Sequence, residues 1–201
     1  MAIARRVLMV SLAGIAGSSV LAHATPAERI RGTIDQADGH VLHVTDRDGN
    51  KLTVAVRPDT RVTLIAPAKI TDIKPGSYIG TAAMPQPDGS LQAMEIQVFP
   101  ERMRGAGEGN HPYDLRPNSS MTNGTVGDVV GTQGRTLTLR YHGEEKKVIV
   151  PAKAPIITYE PGNPALLVAG AHVIIIASKV ADGTLSADRV SVGKDGLTPP
   201  M

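Results

Sequence analysis

The amino-acid sequence predicts an all-β protein, and three observations support this class. Apolar and polar residues alternate in short segments such as 51–57 and 136–141, which is the period expected of strands with one buried face. Asp-Gly pairs separate such segments, and their Gly residues supply the positive φ that tight hairpin turns need. The sequence also repeats itself, because a shift of 94 residues aligns its two halves.

The internal repeat predicts two homologous units. The aligned residues are Val56 with Val150, Pro67 with Pro161, Gly76 with Gly170, Asp88-Gly89 with Asp182-Gly183, and Ala93 with Ala187. Near the start of the units, Gly32-Thr33-Ile34 matches Gly124-Thr125-Val126 at an offset of 92 residues. Because so many Gly and Pro residues coincide, we predict a first repeat at residues 25–99, a linker at 100–121 and a second repeat at 122–201.

Each repeat is predicted to form six short strands. In the first repeat these strands lie at 29–35, 40–46, 51–57, 60–65, 77–84 and 90–99. Between the fourth and the fifth, the segment 68–74 fits one helical turn that ends before Pro75-Gly76. Closing a small sheet removes its exposed edges, so we predict two tandem six-stranded antiparallel β-barrels of the OB-like kind, joined by a long ordered linker. The alternative is a pair of half-sandwiches that share one core.

The first 24 residues have the three parts of a secretory signal peptide. Arg5 and Arg6 form the positive start, an apolar stretch runs from Val7 to Leu21, and Ala22-His23-Ala24 gives the small-x-small cleavage pattern. We therefore predict cleavage after Ala24 and a periplasmic or secreted protein. The alternative is a transmembrane anchor, which takes about 20 apolar residues. The later apolar run at 165–177 is shorter, so no membrane span is predicted after cleavage.

Composition excludes several classes of function. The sequence has 21 basic and 19 acidic residues, and loss of Arg5 and Arg6 with the signal peptide makes the two counts equal. A nucleic-acid partner is therefore not predicted, since phosphate contacts need an excess of Lys and Arg. The absence of Cys excludes disulfides, thiol nucleophiles and cysteine metal sites. Four Tyr, one Phe and no Trp argue against stacking platforms for bases or sugars.

One segment departs from the alternating pattern. Residues 173–176, with the sequence Val-Ile-Ile-Ile, are apolar on both faces. A strand that is covered on both faces has this pattern. We expect its outer face to pack against the other barrel, the linker or a second subunit, and the last possibility predicts a homodimer through 173–176.

The connection from Pro100 to Met121 shows neither a strand nor a helix period. Connections of this length are uncommon in compact domains and are either functional or disordered. Its apolar residues, such as Met103 and Leu115, favour an ordered loop, because flexible linkers contain few of them. We predict an interaction surface on this linker formed by Glu101, Arg102, Arg104, Tyr113 and Arg116.

The same connection contains a candidate metal site. Glu108, His111 and Asp114 are spaced three residues apart, and carboxylates with imidazole are suitable ligands for a divalent transition metal such as zinc, nickel or manganese. The alternative is a loop whose charges pair internally.

Sequence motifs of enzymes are missing from the chain. It has no Gly-x-Ser-x-Gly elbow, and the glycine-rich segment 105–109 is not followed by the Lys-Ser/Thr of a phosphate-binding loop. We therefore predict that the protein is not an enzyme.

The repeat motifs resemble those of a family of exported bacterial proteins with tandem small β-barrel repeats of unknown function. The resemblance rests on Gly32-Thr33-Ile34 and Gly124-Thr125-Val126, and on the segments 88–93 and 182–187, which both have the form Asp-Gly-Ser/Thr-Leu-x-Ala. The connection is similar at Phe99-Pro100-Glu101. Relatives are labelled metal transporter permease, but a permease needs several membrane spans.

Together, these observations predict an exported, non-enzymatic binding or interaction protein, whose partner is an envelope protein or a small ligand. Two alternatives remain open. One is a metal-binding accessory to metal transport in the cell envelope, and the other is an enzyme whose site is not recognisable from the sequence.

Overall fold

The computed structural model describes residues 27–130, 135–180 and 183–200. The predicted signal peptide at residues 1–24 lies outside this part. The predicted all-β class is confirmed, because the described residues form a sheet of twelve strands, and their helices are short 3-10 turns. The strands are β1 (Glu28–Asp38), β2 (Val41–Asp46), β3 (Lys51–Pro67), β4 (Tyr78–Pro85), β5 (Leu91–Val98), β6 (Gly109–Pro112), β7 (Ser120–Val130), β8 (Thr136–Tyr141), β9 (Glu144–Ile149), β10 (Ile156–Pro161), β11 (His172–Lys179) and β12 (Leu185–Gly193).

Five strands close into a barrel. β1 pairs antiparallel with β2 and β11, β2 pairs with β3, and β11 pairs with β12. The parallel pairing of β12 with β3 completes the ring. Its interior is filled by apolar side chains that are fully shielded from solvent, among them Ile34, Val54 and Ile175.

β3 is long enough to pair with three neighbouring strands. It pairs with β2 near its start, with β12 along most of its length and with β10 at its end. Pairing with β12 is interrupted between Val56 and Arg61, and Pro58, which has no N–H to donate, lies in this interruption. Thr60 stabilises the irregular stretch, because its hydroxyl accepts from the Arg57 N–H and donates to the Ala187 carbonyl.

The remaining strands form a second set with its own core. β4 pairs with β5 and β7, and β8 pairs with β7 and β9. A short parallel contact of Leu91 and Gln92 with β9 links the ends of this second strand set. Ile79, Ile96 and Leu139 are fully buried inside it. β6 lies outside on β7, and β10 lies between β3 and β5 and so joins the barrel to the second strand set.

The predicted arrangement of two tandem six-stranded barrels is not confirmed, because the strands of the two sequence halves are exchanged. The barrel takes β1, β2 and β3 from the first half and β11 and β12 from the second half. The second strand set takes β4 and β5 from the first half and β7, β8 and β9 from the second. The predicted division into a repeat at 25–99, a linker at 100–121 and a repeat at 122–201 stays a prediction.

Two equivalent sets of backbone hydrogen bonds accompany this exchange. Ile34 donates to the Ala171 carbonyl and accepts from the Gly170 N–H. In the same pattern, Val126 donates to the Ser77 carbonyl and accepts from the Gly76 N–H. Each half therefore binds a turn of the other half at the same point of its sequence motif.

The glycine that opens each Gly-Thr-Ile/Val motif is required by close packing of the backbone. A Cβ atom at Gly124 would lie 2.5 Å from the Arg140 carbonyl oxygen, and one at Gly32 would collide with the Thr45 carbonyl oxygen. Strands pack this closely only where one of them lacks a side chain.

The strand with two apolar faces is covered on both sides within one chain. Ile175 points into the barrel, whereas Ile174 packs outside it against Ile65 and Ile157. The second buried face therefore has its explanation in the contact with β10. The predicted homodimer through 173–176 stays a prediction.

Candidate functional site

A cavity of about 340 Å³ lies between the barrel and the strands β5, β7 and β10. We call it the central cavity. Its barrel side is formed by residues of β1, β3, β11 and β12, and the connection that follows β5 contributes Met103, Ala106, Gly107 and Tyr113. Its volume is in the range of sites that hold small molecules.

Aromatic side chains concentrate at this cavity, although the chain has only five of them. Phe99, Tyr113 and Tyr159 line it. The Phe99 ring stacks on Tyr159, with ring centroids 5.6 Å apart and an angle of 4° between the planes. The Tyr78 ring also contacts Phe99, with ring centroids 5.5 Å apart. The cavity therefore has an aromatic part in its lining.

The barrel side of the cavity carries a row of arginines. Arg29 of β1 is paired with Ile176 of β11, and Ile176 is paired with Arg189 of β12. The three side chains share one face of the sheet, and since neighbouring strands lie ~4.8 Å apart, the two arginine Cα atoms are separated by ~10 Å. Arg61 of β3 continues the row beside Arg189.

Asp114 fixes the connection to the barrel. Its carboxylate accepts hydrogen bonds from Arg31 at 2.7 Å and 3.0 Å and from Arg29 at 2.9 Å. The hydrogen bond from Arg31 is the main cause that lowers the pKa of Asp114 to about 2. The Arg29 guanidinium also lies 4.8 Å from the centre of the Tyr113 ring, a cation–π contact. The connection is thus held against β1 at two successive residues.

A chain of hydrogen bonds connects two residues that line the cavity to a buried glutamate. Tyr159 OH donates to Gln97 Oε1 at 2.7 Å, and Gln97 Nε2 donates to Glu95 Oε1 at 2.8 Å. Glu95 is 1% exposed, and burial raises its pKa to about 7 despite the hydrogen bond from Gln97. Burial likewise raises the pKa of Tyr159. These bonds hold Gln97 and Tyr159, which line the cavity, in one orientation.

The predicted linker surface is dispersed in the structure. Of its five residues, Tyr113 lines the central cavity. Arg104 binds Glu101 and donates to the Gly76 carbonyl at 2.9 Å. Arg102 and Arg116 are exposed, and Arg116 lines a different cavity together with Lys153.

The three predicted metal ligands do not converge. Glu108 accepts from the His142 backbone N–H at 3.2 Å, the His111 ring lies beside the Glu108 carbonyl, and Asp114 is bound by arginines as described. Within residues 27–130, 135–180 and 183–200, no group of three His, Asp or Glu side chains is arranged to hold a metal ion. A metal at these residues stays a prediction, which elemental analysis of dialysed protein tests.

Sequence reasoning missed most of the residues that line the cavity, including Arg29, Gln97, Tyr159 and Arg189. Arg29 and Arg31 alternate with the buried Ile30, which indicates an outward polar face on β1. Nothing local in the sequence shows that β5 and β12 contribute to the same cavity as this face, because both strands are far from β1 in the chain and neither pairs with it.

Comparisons with known proteins give no relative: no family model matches the chain, and no curated protein or solved structure is significantly similar to it. In the part of the chain that the structure describes, no helix has the length and hydropathy needed to cross a membrane.

Proposed function

We propose that this chain is an exported, non-enzymatic binding protein that holds a small ligand in the central cavity. One observation carries the proposal. Three of the five aromatic side chains of the sequence, which lie far apart in the chain, line one cavity of ligand size. Ligand sites in proteins combine such apolar and aromatic walls with a few fixed polar groups.

The rigidity of the cavity walls supports this proposal. Gln97 and Tyr159 are held through Glu95, and Tyr113 is held through Arg29. The turn at Ala106 is fixed as well, because its carbonyl accepts from Asn123 Nδ2 at 3.0 Å. A site whose side chains are already ordered loses less conformational entropy when a ligand binds.

Duplication of an ancestral barrel unit is part of the same proposal. The equivalent hydrogen bonds of Ile34 and Val126 support it, and so does the exchange of strands between the halves. The second strand set is then a second small barrel, and the chain belongs to the family whose repeat motifs it resembles. Residues 1–24 direct its export.

The cavity is tested by filling it. Thr63→Phe places a ring at the cavity wall, whereas Thr53→Phe places the same ring on the exposed side of the same strand. The small-molecule fraction of a bacterial envelope extract is incubated with each protein, and retained compounds are identified by mass spectrometry. We expect compounds that wild type and Thr53→Phe retain and Thr63→Phe loses. Equal retention by all three proteins, with Thr63→Phe folded, would contradict the proposed site.

A further inference from the structure

The charge of the central cavity is unbalanced. Among the described residues that line it are two arginines, Arg29 and Arg189, and no carboxylate. The surrounding walls are partly apolar, so the field of a positive group is screened less than in open water. The cavity therefore favours a negatively charged occupant.

Nearby carboxylates remove only part of this excess, and Glu95, whose pKa is raised to about 7, is only partly ionised at neutral pH. Asp114 is shared between Arg29 and Arg31, so one negative charge faces two positive ones. Asp188, the chain neighbour of Arg189, is bound by Ser178 and lies 3.6 Å from Arg57. Within the described ranges, no carboxylate forms an ion pair with Arg189, and its side chain is exposed.

The aromatic part of the cavity lining favours a flat apolar group. It contains the stacked rings of Phe99 and Tyr159, with Met103 and Met121 beside them. Methionine adapts its shape to neighbouring rings, and an aromatic wall favours a planar partner at ring-contact distance. A volume of about 340 Å³ accommodates one small ring system with a charged substituent.

We propose, on the basis of the function given above, that the ligand is a small organic anion. Its oxyanion group, a carboxylate or a phosphate, binds the guanidinium of Arg189, with the excess charge at Arg29 adding to the attraction. Its planar apolar body lies against Phe99 and Tyr159. The flat fork of a guanidinium matches the two oxygens of such a group, which is why arginine suits this role better than lysine.

Two probes of the same shape test the charge requirement. 2-Naphthoate is an anion and 2-naphthamide is its neutral analogue. Because the chain contains no Trp, the fluorescence of either probe is measured free of protein emission when it is excited at wavelengths that Tyr does not absorb. We expect wild type to bind 2-naphthoate on the order of 10-fold more tightly than 2-naphthamide. The affinity for 2-naphthoate should also fall as salt is added, whereas that for 2-naphthamide should not.

Variants assign this difference to one residue. Arg189→Gln should lower the affinity for 2-naphthoate about 10-fold and leave that for 2-naphthamide unchanged. Arg140→Gln, which removes an exposed arginine of β8 outside the cavity, should change neither. Arg189→Lys should restore part of the loss, because it keeps the charge and loses the planar fork.

The outcomes separate this inference from the proposed function. Equal affinities for the two probes, both lost in Thr63→Phe, would overturn the anionic class and leave the binding site in place. An unchanged affinity in Arg189→Gln would overturn the role of Arg189. If neither probe binds while Thr63→Phe still loses compounds from the extract, the ligand class is wrong. If Thr63→Phe also loses nothing, both proposals fail. 2-Naphthyl phosphate in place of 2-naphthoate distinguishes a phosphate from a carboxylate as the preferred group.

Discussion

The buried carboxyl of Glu95 should make the stability of this protein fall as pH rises from about 4.5 to about 7. Glu95 is 1% exposed, and the structure gives its Oε1 a donor in Gln97 but its Oε2 no partner. The guanidinium groups of Arg31, Arg47 and Arg29 act on it through electrostatic attraction, which favours the charged form. Burial therefore outweighs the favourable contacts and raises the pKa from 4.5 to about 7. Replacement of Glu95 by Gln keeps the shape of the side chain and removes the titration.

The size and sign of the effect follow from this pKa. An acid with a raised pKa in the folded state holds its proton when the unfolded chain has already lost it, so the free energy of unfolding decreases between the two pKa values. The contribution of Glu95 to the free energy of unfolding is most favourable below pH 4.5. It decreases between pH 4.5 and about 7 and is constant above that range. A shift of this size corresponds to about 3 kcal/mol.

Urea unfolding at pH 4.5 and pH 8 measures this contribution. Glu95→Gln should be more stable than wild type by about 3 kcal/mol at pH 8 and differ little from it at pH 4.5. Glu144→Gln, a change at an exposed glutamate of β9, serves as control for the loss of one charge. The reasoning is refuted if Glu95→Gln and wild type show the same change in stability between the two pH values.

Three further changes test contacts of the site and of the surrounding fold. Asp114→Asn should lower the free energy of unfolding at pH 7 by about 1 kcal/mol, a value reduced for the partial exposure of the carboxylate. The difference between variant and wild type should vanish as pH falls through about 2. Equal urea midpoints of the two proteins at pH 7 would refute this prediction. Gly124→Ala should cost about 1–3 kcal/mol, because its Cβ would lie 2.5 Å from the Arg140 carbonyl oxygen; an unchanged melting temperature would show that the strands can separate freely. Ile174→Lys should lower the free energy of unfolding by more than about 3 kcal/mol, because Ile174 is buried. Ile149→Lys, at an exposed position, should lower it by less than about 0.5 kcal/mol. Similar values for the two variants would mean that β10 does not cover Ile174.

Local features of the fold could be predicted from the sequence because they depend on neighbouring residues. The predicted strands at 77–84 and 90–99 match β4 and β5 within one residue at each end. The helical turn predicted at 68–74 is present as a 3-10 turn at Ile70–Asp72. The Asp-Gly turn at 88–89 has the expected positive φ of 80° at Gly89. Alternation and turn chemistry act over a few residues, so one sequence is sufficient to recognise them.

The exchange of strands could not be predicted, since the same alternating pattern fits a partner strand from either half. A β-strand specifies which face it buries but not which edge it pairs with. The buried glutamate was also unpredictable. Leu91, Ala93 and Glu95 alternate regularly, but a register shift between Ala82 and Ala83 of the partner strand turns Glu95 away from the core that contains Leu91 and Ala93. The central cavity depends on the strand exchange and on the buried Glu95, so no short segment of the sequence indicates it.

An NMR titration of the labelled protein with 2-naphthoate tests the central claim most directly, because it locates the ligand on the molecule. We expect the largest amide shifts at Arg29, Tyr113 and Ser191, which lie far apart in the chain and together line the central cavity. Shifts confined to β8 and β9, or distributed over the exposed lysines, would contradict it.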